Sequence, residues 1–452
     1  MKTTILSPCG ILGYGFPEAS LERALAEKPD AIVVDAGSTD AGPHKLGAGT
    51  AIVSRMAAKK DLTALMRSAR ALDIPLLIGS AGGSGARKHT QWSLEIIREI
   101  AGEMDWSVRM AIIWADVPDQ TVLDALAGGR IEKMSENVPD LTPQALEKTN
   151  GVVAQMGMEP ILRALETGAQ IILCGRAYDP APFAAIAVHR GHDAALALHL
   201  GKILECGALC AEPGTTKDCI LGAIDDDGFE VWAADPKRAC TPVSVAAHTF
   251  YEKEHPYLLN GPGFQLDLSA CAFKAVSPVR VRVTGSRLRP MPYTVKLEGA
   301  AKAAYRTFVL AGIRDPLLIG MVEEVERDVV AAVREYYREI PPESYQINFY
   351  HYGKDAVMGA LETCRDTPHE IGLMFEVIAP TQEMADAICA TTRSCYLHHG
   401  YPGRKATAGN LAFPFAPSDI SFGAVYAFSV YHLLHIDDPA VLFPIEVMEV
   451  KP

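Results

Sequence analysis

The chain has 452 residues, 49% of them hydrophobic and 21% charged. That is more than one comfortable core, so the length argues for two or three domains, and the composition excludes a disordered, collagenous or disulfide-scaffold protein. Forty-two Lys and Arg against 55 Asp and Glu leave a formal charge of −13, which gives no basic footprint for nucleic acid or an anionic lipid surface.

The amino terminus has only a short apolar stretch before Ser7 and Pro8, unlike a signal peptide, and no run approaches the roughly 18 apolar residues of a membrane span. The ten cysteines include no C-x-x-C pair, so the expectation is a reducing cytoplasm with no structural disulfide.

Through the first 215 residues, short apolar runs alternate with helix-length segments. Runs at 3–6, 31–34, 75–78, 110–114 and 170–173 each lead into a polar or glycine-rich loop, and helices are expected at 17–28, 55–72, 90–104, 119–127, 157–167 and 181–204. Strand, turn and helix repeated in that order predict an α/β domain with a parallel, doubly wound sheet. In such a sheet the loops leaving the strands' carboxyl ends share one edge and form the ligand crevice.

The first loop, Gly10-x-x-Gly13-x-Gly15, does not follow the dinucleotide-binding order of glycines. The second, Asp35-Ala-Gly-Ser38-Thr39-Asp40, precedes His44 and Lys45 and is dense in groups that move protons or hold a polar ligand; Asp40 also reads as a turn or helix cap. The third runs Gly79 to Gly85, with Gly82, Gly83, Ser84 and Gly85 before a helix and Arg87, Lys88 and His89 after them. It reads either as a backbone N–H cradle for an anion or as a glycine turn that lets the helix pack. It fits neither the ATP-type phosphate loop nor G-x-S-x-G. Neither an NAD nor an ATP fingerprint is present.

Asp116 follows the fourth run, placed to act as a general base or, with Asp35, to hold Mg²⁺. After the fifth run comes Cys174-Gly-Arg176-Ala-Tyr-Asp179-Pro180. Arg176 at a strand end suits bidentate capture of a substrate carboxylate, or an internal ion pair with Asp179 or Asp116; Asp179 and Pro180 read as the cap and first residue of the next helix. His189, His192, His199, His398 and His399 show no metal spacing and read as surface or core residues. Cys206 closes the helix ending near 204, as a buried thiol or a nucleophile.

Beyond 220 the chain is broken by prolines. Alternation at 278–284 and again at 293–297 predicts an antiparallel pair, followed by a helix at 316–338, strands near 345–351, 371–378, 422–430 and 442–449, and a helix at 382–394. The expected domains are therefore 1–215 (α/β, carrying the crevice), 216–344 (α+β) and 345–452 (a small α+β carboxy-terminal domain). Loops at 260–263, 399–405 and 410–419 are candidate lids or ordinary turns.

Several strings taken together resemble the acyclic terpene utilisation AtuA-like family: Asp35-Ala-Gly-Ser-Thr-Asp-Ala-Gly-Pro43 with Leu46-Gly-Ala-Gly49, Gly82-Gly83, Gly175-Arg-Ala-Tyr-Asp179, His199 to Gly207, and Ser277 to Gly285. The resemblance covers most of residues 1 to about 300, with 345–452 as an appended segment. It implies organic-acid or acyl-CoA breakdown, hence a carboxylate or acyl thioester as ligand, and no catalytic residue is carried over from it. Placement alone makes Asp35, Asp40 and Asp116 the candidate catalytic groups, and Ser38, Thr39, Gly82 to Gly85, Arg176 and Asp179 the candidate binding groups.

The expected function is a lyase, hydratase or isomerase acting on a small anionic substrate, with homo-oligomerisation the default for such an enzyme. The alternatives are a hydrolase using Ser84 or Cys206, and a noncatalytic ligand-binding subunit.

Overall fold

The computed structural model describes residues 2–38, 42–405 and 408–452. The chain forms two compact units, one of residues 1–301 with 428–452 and the other of residues 302–427.

In the first unit, β1 (Thr3–Ser7), α1 (Glu18–Ala26), β2 (Ala31–Asp35), α2 (Arg55–Leu72), β3 (Leu76–Gly79), α3 (Arg87–Glu103), β4 (Val108–Ile113), α4 (Glu159–Glu166), β5 (Ile171–Cys174), α5 (Ala181–His189) and α6 (Ala194–Leu204) follow one another. The five strands are parallel in the spatial order β1-β2-β3-β5-β4. They are apolar throughout because both faces are covered. Ala31 and Val33 face a core with residues of α4, α5 and α6, while Ile32 and Val34 face one with residues of α1, α2 and α3. α2 shows how its sequence specifies this: Ser54 caps its first turn by accepting from the Ala57 N–H, and Leu62, Leu65 and Met66 form its buried stripe. Each of these side chains contributes about 1.5–3 kcal/mol by leaving water.

The sheet is mixed. β6 (Ile220–Ile224) pairs antiparallel with β1, and β7 (Phe229–Ala233), β9 (Arg280–Thr284) and β8 (Ala272–Ser277) extend that side in turn. Residues 216–301 therefore continue the first unit, and no compact-unit boundary falls at 215/216. β9 does not pair with the strand at 293–297, as its alternation suggested. That strand is the start of β10 (Thr294–Ile313), whose Leu297–Ala301 stretch pairs with strand Thr149–Ala154. The segment expected as one helix at 181–204 is two, broken at Gly191, where φ is +89°, with Asp193 capping α6 through the Leu196 N–H.

The second unit holds the rest of β10, which pairs antiparallel with β12 (Ile371–Ala379); β11 (Gln346–Tyr352) pairs with β12 in turn. Its core joins Val309 and Phe375 with Val325 and Val329 of α7 (Val322–Tyr336) and Ile388 of α8 (Gln382–His398). The helix expected at 316–338 is interrupted at Met321, between Pro316–Gly320 and α7. β13 (Asp419–His435) runs from this unit back into the first, where β14 (Ile445–Val450) pairs antiparallel with β4. The last 25 residues group with the first compact unit, and no compact-unit boundary falls at 344/345. Among the described residues, no helix is long and apolar enough to cross a membrane.

Candidate active site

The loops leaving the parallel strands are stitched together along their carboxyl edge. Leu12 N–H donates to the Asp35 carbonyl, Ala36 N–H to that of Gly79, Ala81 N–H to that of Cys174, and Gly175 N–H to that of Ile113, all at 2.7–3.0 Å. β3 leads to a helix on one face and its neighbour β5 to helices on the other, so the two chains diverge at this edge, the usual place for a ligand crevice in an α/β sheet.

Arg176 is the hub. It is 3% exposed. Its Nε donates to Glu298 Oε2 at 2.8 Å, and its Nη1 to Ser80 Oγ and the Ala177 carbonyl at 3.1 Å and to Asp179 Oδ1 at 3.2 Å. Glu298, fully buried on β10, also pairs with Lys296 at 2.7 Å. Burial alone would raise the Glu298 carboxyl, but Arg176 and Lys296 override it and hold it at about 2. Bidentate capture of a ligand carboxylate needs Nη2 together with Nε or Nη1, and these two already hold Glu298, Ser80 and Asp179. The geometry therefore matches the internal ion pair, with Arg176 positioning the groups around it.

Asp35, at the end of β2, is 7% exposed, and its Oδ1 accepts the Ala36 N–H at 2.9 Å. Burial raises its carboxyl well above the usual range, the Asp179 charge adds to this, Arg176 opposes it and Glu205 adds again. Asp179 does not cap α5 with its side chain: Pro180 occupies the cap position, the helix begins at Ala181, and the carboxylate turns to Arg176.

Lys202 and Glu205, one turn apart at the end of α6, are both buried and paired with each other, and Lys202 also reaches Glu252 at 3.0 Å. Burial lifts Glu205 to about 8 against the pull of Lys202. One carboxylate oxygen from each of Asp179, Glu205 and Glu252 lies within 4.8 Å of the others. Sequence reasoning passed over Glu205, Lys202, Ser80, Lys296 and Glu298. The i,i+3 pair Lys202/Glu205 inside an apolar helix was the available signal, whereas Glu298 carries none, being 122 residues from its partner Arg176.

The glycine-rich loop is buried and meets protein backbone. A Cβ on Gly82 would lie 2.8 Å from the His89 carbonyl oxygen, and one on Gly85 would lie 2.0 Å from the Arg176 nitrogen; a Cβ on Gly37 would lie 1.7 Å from the Gly83 oxygen. These contacts are those the packing interpretation requires. In the first loop the Gly13 and Gly15 N–H groups hold the protein's own anion, Asp61 Oδ2, at 2.8 and 3.0 Å.

Ser84 is 1% exposed. Burial and the Glu205 charge push the Cys206 thiol up, the reverse of what an activated nucleophile needs. Ser38 is half-buried beside Gly37, and Thr39 and Asp40 lie outside the described residues. Asn260 and Gly263 belong to the hairpin joining strands Leu258–Gly261 and Phe264–Asp267. His199 is a core residue, its Nδ1 at 2.8 Å from Ser286 Oγ, and burial holds the ring neutral with a pKa of about 3.

Asp116 is placed elsewhere. Its Oδ1 accepts the Arg87 N–H at 2.9 Å, and it lines a cavity of about 510 Å³ with Arg87, Trp114 and Arg130. It is not part of the carboxylate group formed by Asp179, Glu205 and Glu252.

These features define a mixed α/β protein with a buried network of carboxylates and cations at the carboxyl edge of its parallel strands. Residues 57–416 match the family described as acyclic terpene utilisation family protein AtuA, and the chain belongs to that family. The match runs past residue 300 and takes in most of the second unit. No curated protein and no solved structure matches the chain significantly.

Proposed function

We propose that the chain is a proton-transferring enzyme of organic-acid or acyl-CoA breakdown, a lyase, hydratase or isomerase acting on a small carboxylate or its thioester. The observation that carries this is Asp35: a buried carboxyl at a strand's carboxyl end, raised by desolvation and by Asp179, with Arg176 close enough to oppose the shift. A carboxyl raised in this way is a stronger base than an ordinary aspartate, which suits it to exchange a proton with a substrate carbon. Asp179 and Glu252, 29% and 37% exposed at their side chains, mark the solvent side of the network, and Lys202 supplies positive charge to oppose a developing enolate.

The parallel strands with helices on both faces support a doubly wound arrangement with its crevice at this edge. Ten free thiols support a reducing, cytoplasmic setting. A homo-oligomer remains the expectation for such an enzyme.

The test is solvent exchange. Small carboxylates and their CoA thioesters are incubated with the protein in D₂O, and deuterium entering α or β to the carbonyl is followed by mass spectrometry. One ligand class exchanges with the wild type, and Asp35→Asn, which keeps the acceptor for Ala36, lowers the rate by about 10²–10⁴-fold. Equal exchange by the two proteins would remove Asp35 from the chemistry.

A further inference from the structure

We infer that Asp179, Glu205 and Glu252 form a binding site for a hard divalent cation of the Mg²⁺ or Mn²⁺ class. Two independent observations lead there.

The first is distance. One oxygen from each carboxylate lies within 4.8 Å of the others. Octahedral oxygen ligands at about 2.1 Å from a Mg²⁺ stand roughly 3.0 Å apart when adjacent and about 4.2 Å apart when opposite. At most one of the three pairs can be opposite, so from the 4.8 Å limit the other pairs close by up to about 1.8 Å, a shift of about 1 Å for each side chain. All three donors are carboxylate oxygens, which select hard cations over zinc or copper.

The second is an unpartnered atom. Glu205 is 3% exposed, and its Oε2 is buried without a hydrogen-bond partner, while its Oε1 is held by Lys202. The Tyr178 hydroxyl is also buried and unpartnered, and the charges acting on it are those of Lys202, Glu205 and Asp179. Buried polar atoms are almost always satisfied, and a carboxylate oxygen without a donor is among the costliest exceptions. A cation provides the missing partner for Oε2, and its hydration shell provides one for the hydroxyl.

Lys202 takes Oε1 of Glu205 and Oε2 of Glu252, which leaves Glu205 Oε2 open to a metal.

This inference does not depend on the proton-transfer proposal, because binding is read without turnover. The full chain is stripped with EDTA and titrated with Mn²⁺, with free Mn²⁺ followed by electron paramagnetic resonance. The expected result is one Mn²⁺ per chain, displaced by Mg²⁺, with Glu205→Gln, Asp179→Asn and the more exposed Glu252→Gln each weakening binding by about tenfold or more. Circular dichroism checks that each variant is folded, and Glu252→Gln decides the matter should a more buried variant fail to fold. No Mn²⁺ bound at millimolar concentration, or binding unchanged by Glu252→Gln, overturns the site.

Discussion

Glu298 has no water to fall back on, and it faces two cations at once. Its carboxylate lies 2.8 Å from Arg176 Nε and 2.7 Å from Lys296 Nζ. Replacing a buried ion pair with apolar groups is often tolerated, but removing one partner leaves the other charge stranded in low dielectric. Glu298→Gln keeps the volume and removes the charge, leaving buried Arg176 with only the part-exposed Asp179 as its ion-pair partner. The expected cost is about 3–5 kcal/mol in urea denaturation monitored by circular dichroism, and a loss below about 1 kcal/mol would show that the triad does not hold the site. The ion pair with Asp179 was legible from the chain, but the pairing with Glu298 was not: Arg176 stood out because it ends a strand, while Lys296 and Glu298 on a distant strand look like the polar residues of ordinary alternation.

At the scale of elements, the carboxyl edge is built by loops in backbone-to-backbone contact, and the glycines set how close they come. Gly85 has φ +63°, and an added Cβ would fall 2.0 Å from the Arg176 nitrogen. Gly151 has φ +83° with nothing within 4 Å of its Cβ position. Gly151→Ala therefore carries only the left-handed backbone penalty of about 1–2 kcal/mol, whereas Gly85→Ala adds a clash with main chain that cannot rotate away, and its cost is expected at roughly 3–5 kcal/mol. Equal denaturation midpoints for the two variants would show that the loops after β3 and β5 are free to move apart.

Elements with local punctuation were readable. The amphipathic 55–72 segment with Ser54 ahead of it, and the 119–127 segment after Pro118, match α2 and helix Asp119–Ala127 residue for residue. Pairing was not readable, because alternation in Arg280–Thr284 specifies a half-buried strand and not its neighbour. At 181–204 the apolar run hid the Gly191 and Asp193 signals that divide the helices.

For the whole molecule, the compact units have separate cores. That of residues 302–427 is drawn from Val309 to Leu411, and among the described residues no buried member comes from outside those limits. A segment whose core is internal is expected to fold by itself, and this one carries its own pH signature. His351, buried on β11, lies 2.7 Å from Glu326 on α7 and 3.2 Å from Asp355. Burial alone would lower its pKa, but the two carboxylates raise it, while Glu323, Lys354 and Tyr396 surround Glu326. Glu326 is also raised, by burial, against the pull of His351. Both groups hold a proton more tightly folded than unfolded, so both contributions are full below the unfolded values and are lost as pH rises through the folded ones. For the histidine, the loss begins near pH 6.5, the ordinary value. Residues 302–427 expressed alone should therefore melt cooperatively, at a higher temperature at pH 5.5 than at pH 8. His351→Gln should reduce the difference between pH 6.5 and 8 by the contribution of this imidazole. Failure to melt cooperatively would mean that the unit depends on the rest of the chain, and an unchanged pH slope in the variant would place the titration on another group.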